Sequence, residues 1–309
     1  MKIGLFLAVF AELPLARALE AAAAAGCGAV EIASGARSPH CRPAELLGDP
    51  AGRDRILAAV AERGLELSAL SCHGNPLHPD RATATAADRA FRDTVRLAPE
   101  LGVATVITFS GCPGESERSL RPSWVTCSWP DDYQETLAWQ WDERVLPYWQ
   151  EAAAFARAHG VRVAIEPHPG FVVYNTASML RLRQGVGEDV GANLDPSHLF
   201  WQGIDPLACV VALGEAVLHV HAKDLGFQQE LLARNGVLET VPGHRHAERS
   251  WIFRSVGAGH PAAFWRELAG ALADTGYDGA LSIEHEDPLL SREEGLAVAV
   301  STLREALAE

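Results

Sequence analysis

Four short apolar runs in the second half of the chain each end in a side chain able to bind a divalent cation. They are Val163-Ala-Ile-Glu166, Ala192-Asn-Leu-Asp195, Leu218-His-Val-His221 and Leu281-Ser-Ile-Glu284. Each run looks like a strand buried on both faces, where an ionisable group is costly unless something pairs with it. Three carboxylates and one imidazole repeating this habit read most economically as one metal centre, with Glu166, Asp195, His221 and Glu284 as ligands. The bland alternative, strand-end caps or salt-bridge partners, holds for any one of them but weakens for four in register. An oxygen-rich set with one histidine suits Mn²⁺ first, with Mg²⁺, Co²⁺ or Zn²⁺ as alternatives, and argues against a thiolate-loving metal. Polar residues cluster beside the ligands: His73, His168, His198, Lys223 and Asp224 read as a pocket wall, some orienting ligands and others binding substrate.

These residues need elements that bring them together. The apolar runs predict eight strands, at 2–7, 28–32, 66–72, 104–109, 161–166, 191–195, 217–222 and 280–284. Between and after them lie helical segments at 14–25, 54–63, 86–100, 143–159, 176–184, 205–213, 261–275 and 291–308, the last opened by the capping box Ser291-Arg-Glu-Glu294. Glycines 26, 64, 102, 160 and 276 stand where a left-handed residue ends a helix. Strand–helix alternation of this kind predicts an α/β fold with a parallel sheet, and eight units predict a single (β/α)8 TIM barrel over residues 1–309. No glycine-rich dinucleotide fingerprint follows the first strand, which argues against an open doubly wound sheet. In a barrel the C-terminal strand ends converge on one mouth. There, 29 residues separate Glu166 from Asp195, 26 separate Asp195 from His221, and 63 separate His221 from Glu284. The first two gaps are one βα unit each; the third adds a long insertion. Long connections follow strand 4 (about 110–142, with Trp124, Trp129, Trp139 and Trp141) and strand 7 (about 225–260, with His244, His246 and Trp251), and both are expected over the catalytic face.

Composition excludes several classes. With 26 basic and 40 acidic residues the net charge is −14, a field that repels nucleic acid and anionic membranes. The six cysteines are scattered without a C-x-x-C pair, which fits free thiols in a cytoplasmic protein. The stretch after Lys2 looks like a short signal peptide but is read as a first buried strand, followed by an alanine-rich helix opened by Pro14. No run reaches the length of a membrane span. A homo-oligomer is expected, the tryptophan-rich loop being an alternative dimer contact, and an additional partner subunit is kept open.

The stretches Glu166-Pro-His168, Leu194-Asp-Pro-Ser-His198, His219-Val-His-Ala-Lys-Asp224 and Ile283-Glu-His-Glu286 resemble the xylose isomerase-like barrels of the sugar-phosphate isomerase/epimerase superfamily. The resemblance covers essentially the whole chain. It implies metal ligands on the last four strands, again Glu166, Asp195, His221 and Glu284. In the ketose 3-epimerase branch the first and last glutamates also move the proton, on opposite sides of the sugar, and a histidine matching His198 contacts substrate. This chain departs from that branch at two positions. Phe227 stands where the epimerases resemble one another in having an arginine, and Val172 where they have an acid.

The expected chemistry is proton abstraction beside a carbonyl through a metal-stabilised enediolate, with Glu166 or Glu284 as base. Return of the proton gives a sugar epimerase or isomerase. Loss of a β leaving group gives instead a lyase that eliminates the aglycone from 3-keto-glycosides or C-glycosides, with His168 or His73 as base or leaving-group acid. An apurinic endonuclease shares the barrel but needs several zinc ions, more histidine ligands and a polyanionic partner. A sugar-binding barrel without activity would not need a complete ligand set.

Overall fold

A computed structural model describes residues 1–308. Eight parallel strands close into a barrel: β1 (Lys2–Phe6), β2 (Ala29–Ala33), β3 (Glu66–Ser71), β4 (Thr105–Thr108), β5 (Arg162–Ile165), β6 (Val190–Leu194), β7 (Val217–Ala222) and β10 (Ala280–Ile283). Two further strands, β8 (Asp224–Phe227) and β9 (Trp251–Arg254), pair antiparallel as a ribbon beyond β7. All eight barrel strands lie where the apolar runs predict them. The five stop glycines have φ between 65° and 92°, the left-handed region that ends a helix.

Strand alternation explains both the core and the site. On β3 to β6, Leu70, Val106, Val163, Ile165, Ala192 and Leu194 pack outward against the helices in the main core. Their neighbours Ala69, Ile107 and Ala164 form a separate small cluster with Leu218, filling the barrel interior. The same two-residue period carries Ala69 upward to His73 and Ala164 to Glu166, and continues from Asn193 to Asp195 and from Ser282 to Glu284, while register irregularities before Glu31 on β2 and His219 on β7 set Glu31, His219 and His221 inward. Below them Asn193, His219 and Ser282 form a deeper polar layer, buried to within 3%.

Interior space is tight where β6 meets β7. A side chain at Gly191 would overlap the Ala216 carbonyl oxygen and press on Leu218. Backbone cannot yield as a flexible side chain can, so Gly191→Ala is expected to lower stability by about 2 kcal/mol, measured by urea denaturation with an unchanged m-value. An unchanged midpoint would refute this packing.

The segment after β4 runs irregularly to the helix Asp131–Trp139. The insertion after β7 holds the β8–β9 ribbon, the helix Gln229–Asn235 and a short 3₁₀ segment, Gly243–Glu248. No described helix is long and apolar enough to cross a membrane.

Candidate metal centre

Glu166 and Asp195 directly follow β5 and β6, His221 lies in the last turn of pleat of β7, and Glu284 directly follows β10. One ligand atom from each lies within 4.8 Å of the others. Nδ1 of His221 is 3.3 Å from Glu166 Oε2 and 3.1 Å from Glu284 Oε2. Asp195 divides its work: Oδ1 caps the short helix Pro196–Phe200 by accepting from the Ser197 amide at 2.9 Å. Its buried Oδ2 makes no directed hydrogen bond and is held by the Lys223 ammonium at 3.0 Å as an ion pair. Nδ1 of His221 and Nε2 of His198 are likewise buried without one. Buried polar atoms are normally satisfied by directed hydrogen bonds; here Asp195 Oδ2 and His221 Nδ1 have only ion-pair contacts, and three carboxylates and an imidazole drawn this close are what a cation-binding set requires. The residues fit a divalent metal.

Beneath this layer stands a residue that the apolar-run reading passes over. Glu31, fully buried on β2, accepts from His221 Nε2 at 3.0 and 3.1 Å. It also accepts from Ser282 Oγ at 2.9 Å and from Ser71 Oγ. With Nε2–H directed to Glu31, Nδ1 faces the carboxylates, where it carries a proton in the metal-free protein and would offer its lone pair to a bound cation. This is the carboxylate–histidine arrangement that orients metal ligands. Asn193 plays a matching part, donating to Glu166 Oε2 at 3.1 Å while its own oxygen meets His219 Nδ1 at 3.0 Å.

The remaining predicted residues separate by strand parity. His73 Nε2 is 3.1 Å from Glu166 Oε2, and His198 Nε2 is 3.2 Å from both Glu166 Oε1 and Asp195 Oδ2. The His168 ring lies 4.0 Å from that of His198, with Nδ1 2.7 Å from the Pro169 carbonyl. Lys223 is 2% exposed, its ammonium 3.0 Å from Asp195 Oδ2, 2.9 Å from Glu284 Oε2 and 3.2 Å from Glu286 Oε2. It therefore adds one positive charge directly to a centre of three carboxylates. Asp224 is not brought into the pocket. Its carboxylate accepts from the backbone of Leu225, Gly257, Gly259 and His260 and from the His260 ring. Its work is to tie down the 255–260 loop. His244 is exposed and His246 half-buried, both in the insertion outside this cluster. Two overlapping triplets, Glu31–His219–His221 and Glu166–His168–His198, extend the polar layer on either side.

The electrostatics follow from burial and pairing. Burial opposes the His221 imidazolium, but Glu31, Glu284 and Glu166 outweigh it and hold this histidine well above its usual value. Burial would raise Glu31, yet His221, His219 and Ser71 bring it down to about 2. Lys223 and His221 likewise overcome burial to hold Glu284 well below the carboxylate range, as His198, His221 and His73 do for Glu166. Burial dominates at His168 and His219, which fall to about 3 and about 4.

These shifts give metal-free protein a definite pH profile. An unfolded chain protonates histidine near 6.5, so the fold loses the advantage of neutral His168 and His219 as pH falls from about 6.5 toward 3. The Glu31 contribution, present above about 4.5, disappears as pH falls toward 2. Protonated His221 works oppositely, stabilising the fold below about 6.5 and losing that effect as pH rises through its raised value. Denaturation of the metal-free protein is therefore expected to show greatest stability near neutrality, with a steep acid side. A flat profile between pH 4 and 7 would contradict it.

The family model described as the xylose isomerase-like TIM barrel matches residues 19–306. The chain belongs to that family. Over its full length this xylose isomerase-like barrel is similar to the uncharacterized protein YfiH of Bacillus subtilis (strain 168). The two are 36% identical over 314 residues, covering 100% of each. An inosose dehydratase of Lacticaseibacillus casei is 29% identical over 135 residues, 43% of either chain. Among solved structures, D-psicose 3-epimerase from Clostridium cellulolyticum H10 superposes with a TM-score of 0.64 at 19% identity, covering 99% of this chain and 98% of that one. At that identity the match shows a shared fold. Epimerases and dehydratases are thus both neighbours of this xylose isomerase-like barrel.

Proposed function

We propose that the protein is a divalent-metal-dependent sugar isomerase or epimerase that removes a proton from the carbon beside a carbonyl. The observation that supports this reading is the convergence of one ligand atom each from Glu166, Asp195, His221 and Glu284 to within 4.8 Å of one another at the barrel mouth. A bound ion, Mn²⁺ being the first expectation, supplies a Lewis acid that stabilises the enediolate left when the proton departs. The chain's own residues do the rest. Glu284 is the most accessible of the four, its side chain 17% exposed, and is kept ionised by Lys223 and His221. It is the proton acceptor. Glu166, buried and held by His73, His198 and Asn193, is oriented to act from the other side. His73 and His198 contact the sugar oxygens, and Lys223 offsets charge developing on them.

The test is isotopic. With Mn²⁺ bound, a responsive ketose is expected to take deuterium from heavy water beside its carbonyl and to return as an epimer or isomer; metal-stripped protein does neither. Metal-loaded protein that exchanges no proton in any ketose or 3-keto-glycoside would overturn the reading.

Similarity to an inosose dehydratase favours a second outcome of the same first step. When a leaving group stands β to the carbonyl, the C–H electron pair becomes the new C=C bond and the C–O bond breaks. The departing oxygen then takes a proton from a histidine such as His73, while His168, kept neutral by burial, suits the role of base. Glycosides oxidised at C3, and C-glycosides by C–C cleavage, suit this lyase reading. Epimer formation without loss of an aglycone would exclude it.

A further inference from the structure

Lys223 is a cation built into the candidate centre, and its surroundings are those of a bound ion. It directly follows β7, two residues beyond His221, and the strand period turns both side chains to the inside of the barrel. Carboxylate oxygens from three residues converge on its Nζ: Asp195 Oδ2 at 3.0 Å, Glu284 Oε2 at 2.9 Å and Glu286 Oε2 at 3.2 Å. The Phe253 ring closes a further side with its centre 4.7 Å from Nζ, a favourable seat for a cation. With the residue 2% exposed, these groups stand in for the hydration shell of an ammonium in water.

Two of the three carboxylates also belong to the metal-ligand set. Glu284 Oε2 lies 3.1 Å from His221 Nδ1, and Asp195 shares the same four-residue convergence. Each therefore stands between the proposed ion and the ammonium, as bridging carboxylates stand between two metals. In two-metal sites the ions are about 3.5–4 Å apart and are clamped on the same substrate oxygens. Charge leads to the same place. One divalent ion leaves three desolvated carboxylates a single positive charge short of balance, and buried charge is costly unless paired. The ammonium supplies that charge. It differs from a metal in one respect that matters for chemistry: it has no open coordination position, so it cannot bind and activate a water molecule as a second metal does.

We propose that Lys223 occupies a second-cation position of the centre, fixing it at one metal ion per chain and excluding two-metal chemistry. The inference rests on the reading of Glu166, Asp195, His221 and Glu284 as a metal site. Lys223 is then a positioning residue. It holds Asp195 and Glu284 from the side away from the ion and repels any cation beyond the first. Glu286 lies outside the four-ligand set and completes the seat of the ammonium with a half-exposed carboxylate.

The experiment counts Mn²⁺ by equilibrium dialysis and elemental analysis, with electron paramagnetic resonance as the second readout. Wild-type protein is expected to hold one ion. Lys223→Ala vacates the seat and is expected to hold two, with the exchange-coupled spectrum of ions that share carboxylates. Methylammonium, which fits the vacated space, should return that variant to one ion. Adding Glu286→Gln should do the same, because it removes an oxygen from the second position only. Lys223→Met fills the space without charge; it should keep one ion and bind it at least about tenfold more tightly than wild type, since the repelling ammonium is gone. That measurement decides the matter if Lys223→Ala does not fold. A single ion in folded Lys223→Ala, a second ion without magnetic coupling, or a Lys223→Met affinity no higher than wild type would overturn the inference. Loss of all metal in folded Lys223→Ala would do so too, by making Lys223 a holder of the ligands alone. Failure of the metal reading is distinguishable, because wild-type protein would then hold no ion at all.

Discussion

Glu284→Gln is expected to abolish turnover, lowering kcat/KM by at least about 10³-fold, and to weaken metal binding at the same time. The two losses have one cause, because the carboxylate is assigned both as ligand and as proton acceptor. Removing a positioned base alone costs about 10²–10⁴ in rate, and a neutral amide is both a poor base and a weaker ligand. The effect should not come from misfolding. Glutamine keeps the volume, and the main partners of Glu284, His221 and Lys223, retain Glu31, Asp195 and Glu286. Isotope exchange beside the substrate carbonyl separates the two roles: excess metal restores occupancy but leaves exchange absent. An active Glu284→Gln variant without bound metal would refute the mechanism.

Glu31→Gln is expected to weaken metal binding by about 10–100-fold, the usual consequence of losing the partner that orients a ligand histidine. Glu31 touches none of the space where substrate would lie, and its effect passes wholly through His221. An amide oxygen can still accept from Nε2–H, so the ring stays roughly placed, but the negative charge that makes Nδ1 a stronger donor is gone. In metal-free protein the same charge supports the His221 imidazolium. Wild-type protein should therefore release about one proton on binding metal near neutral pH, and Glu31→Gln less. Calorimetry in buffers of different ionisation enthalpy reads both numbers. Unchanged metal affinity in Glu31→Gln would make Glu31 a packing residue only.

The barrel was legible because its signals are local. Buried strands announce themselves as β-branched runs, and glycines such as Gly26 and Gly160 mark where helices end. The helix Arg81–Glu100 begins earlier than its apolar pattern, because Asp80 caps it through the Thr83 amide while Thr83 and Thr85 dilute the helical signal. The β8–β9 ribbon was hidden, since β8 follows β7 after a single residue and depends on pairing with a strand more than twenty residues away.

The site was legible where its residues end a run and less so where they do not. Glu31 sits in the middle of Ala29–Ala33, and the signal that could have found it is an unpaired acid inside an otherwise apolar strand. Asp224 misled for a related reason. It adjoins Lys223 in sequence, but the strand period turns the two side chains to opposite sides, and only Lys223 faces the centre. The carboxylate seat of Lys223 needed the fold itself, because Asp195 follows β6 while Glu284 and Glu286 follow β10.

The account is tested most directly by counting metal. Metal-stripped protein, incubated with Mn²⁺, desalted and measured by elemental analysis, should retain one ion per chain, and Glu166→Gln should retain almost none. Retention of no metal would contradict a four-ligand centre. Two or three ions per chain, drawn into the adjoining histidine triplets, would contradict a single centre and favour a multi-metal hydrolase instead.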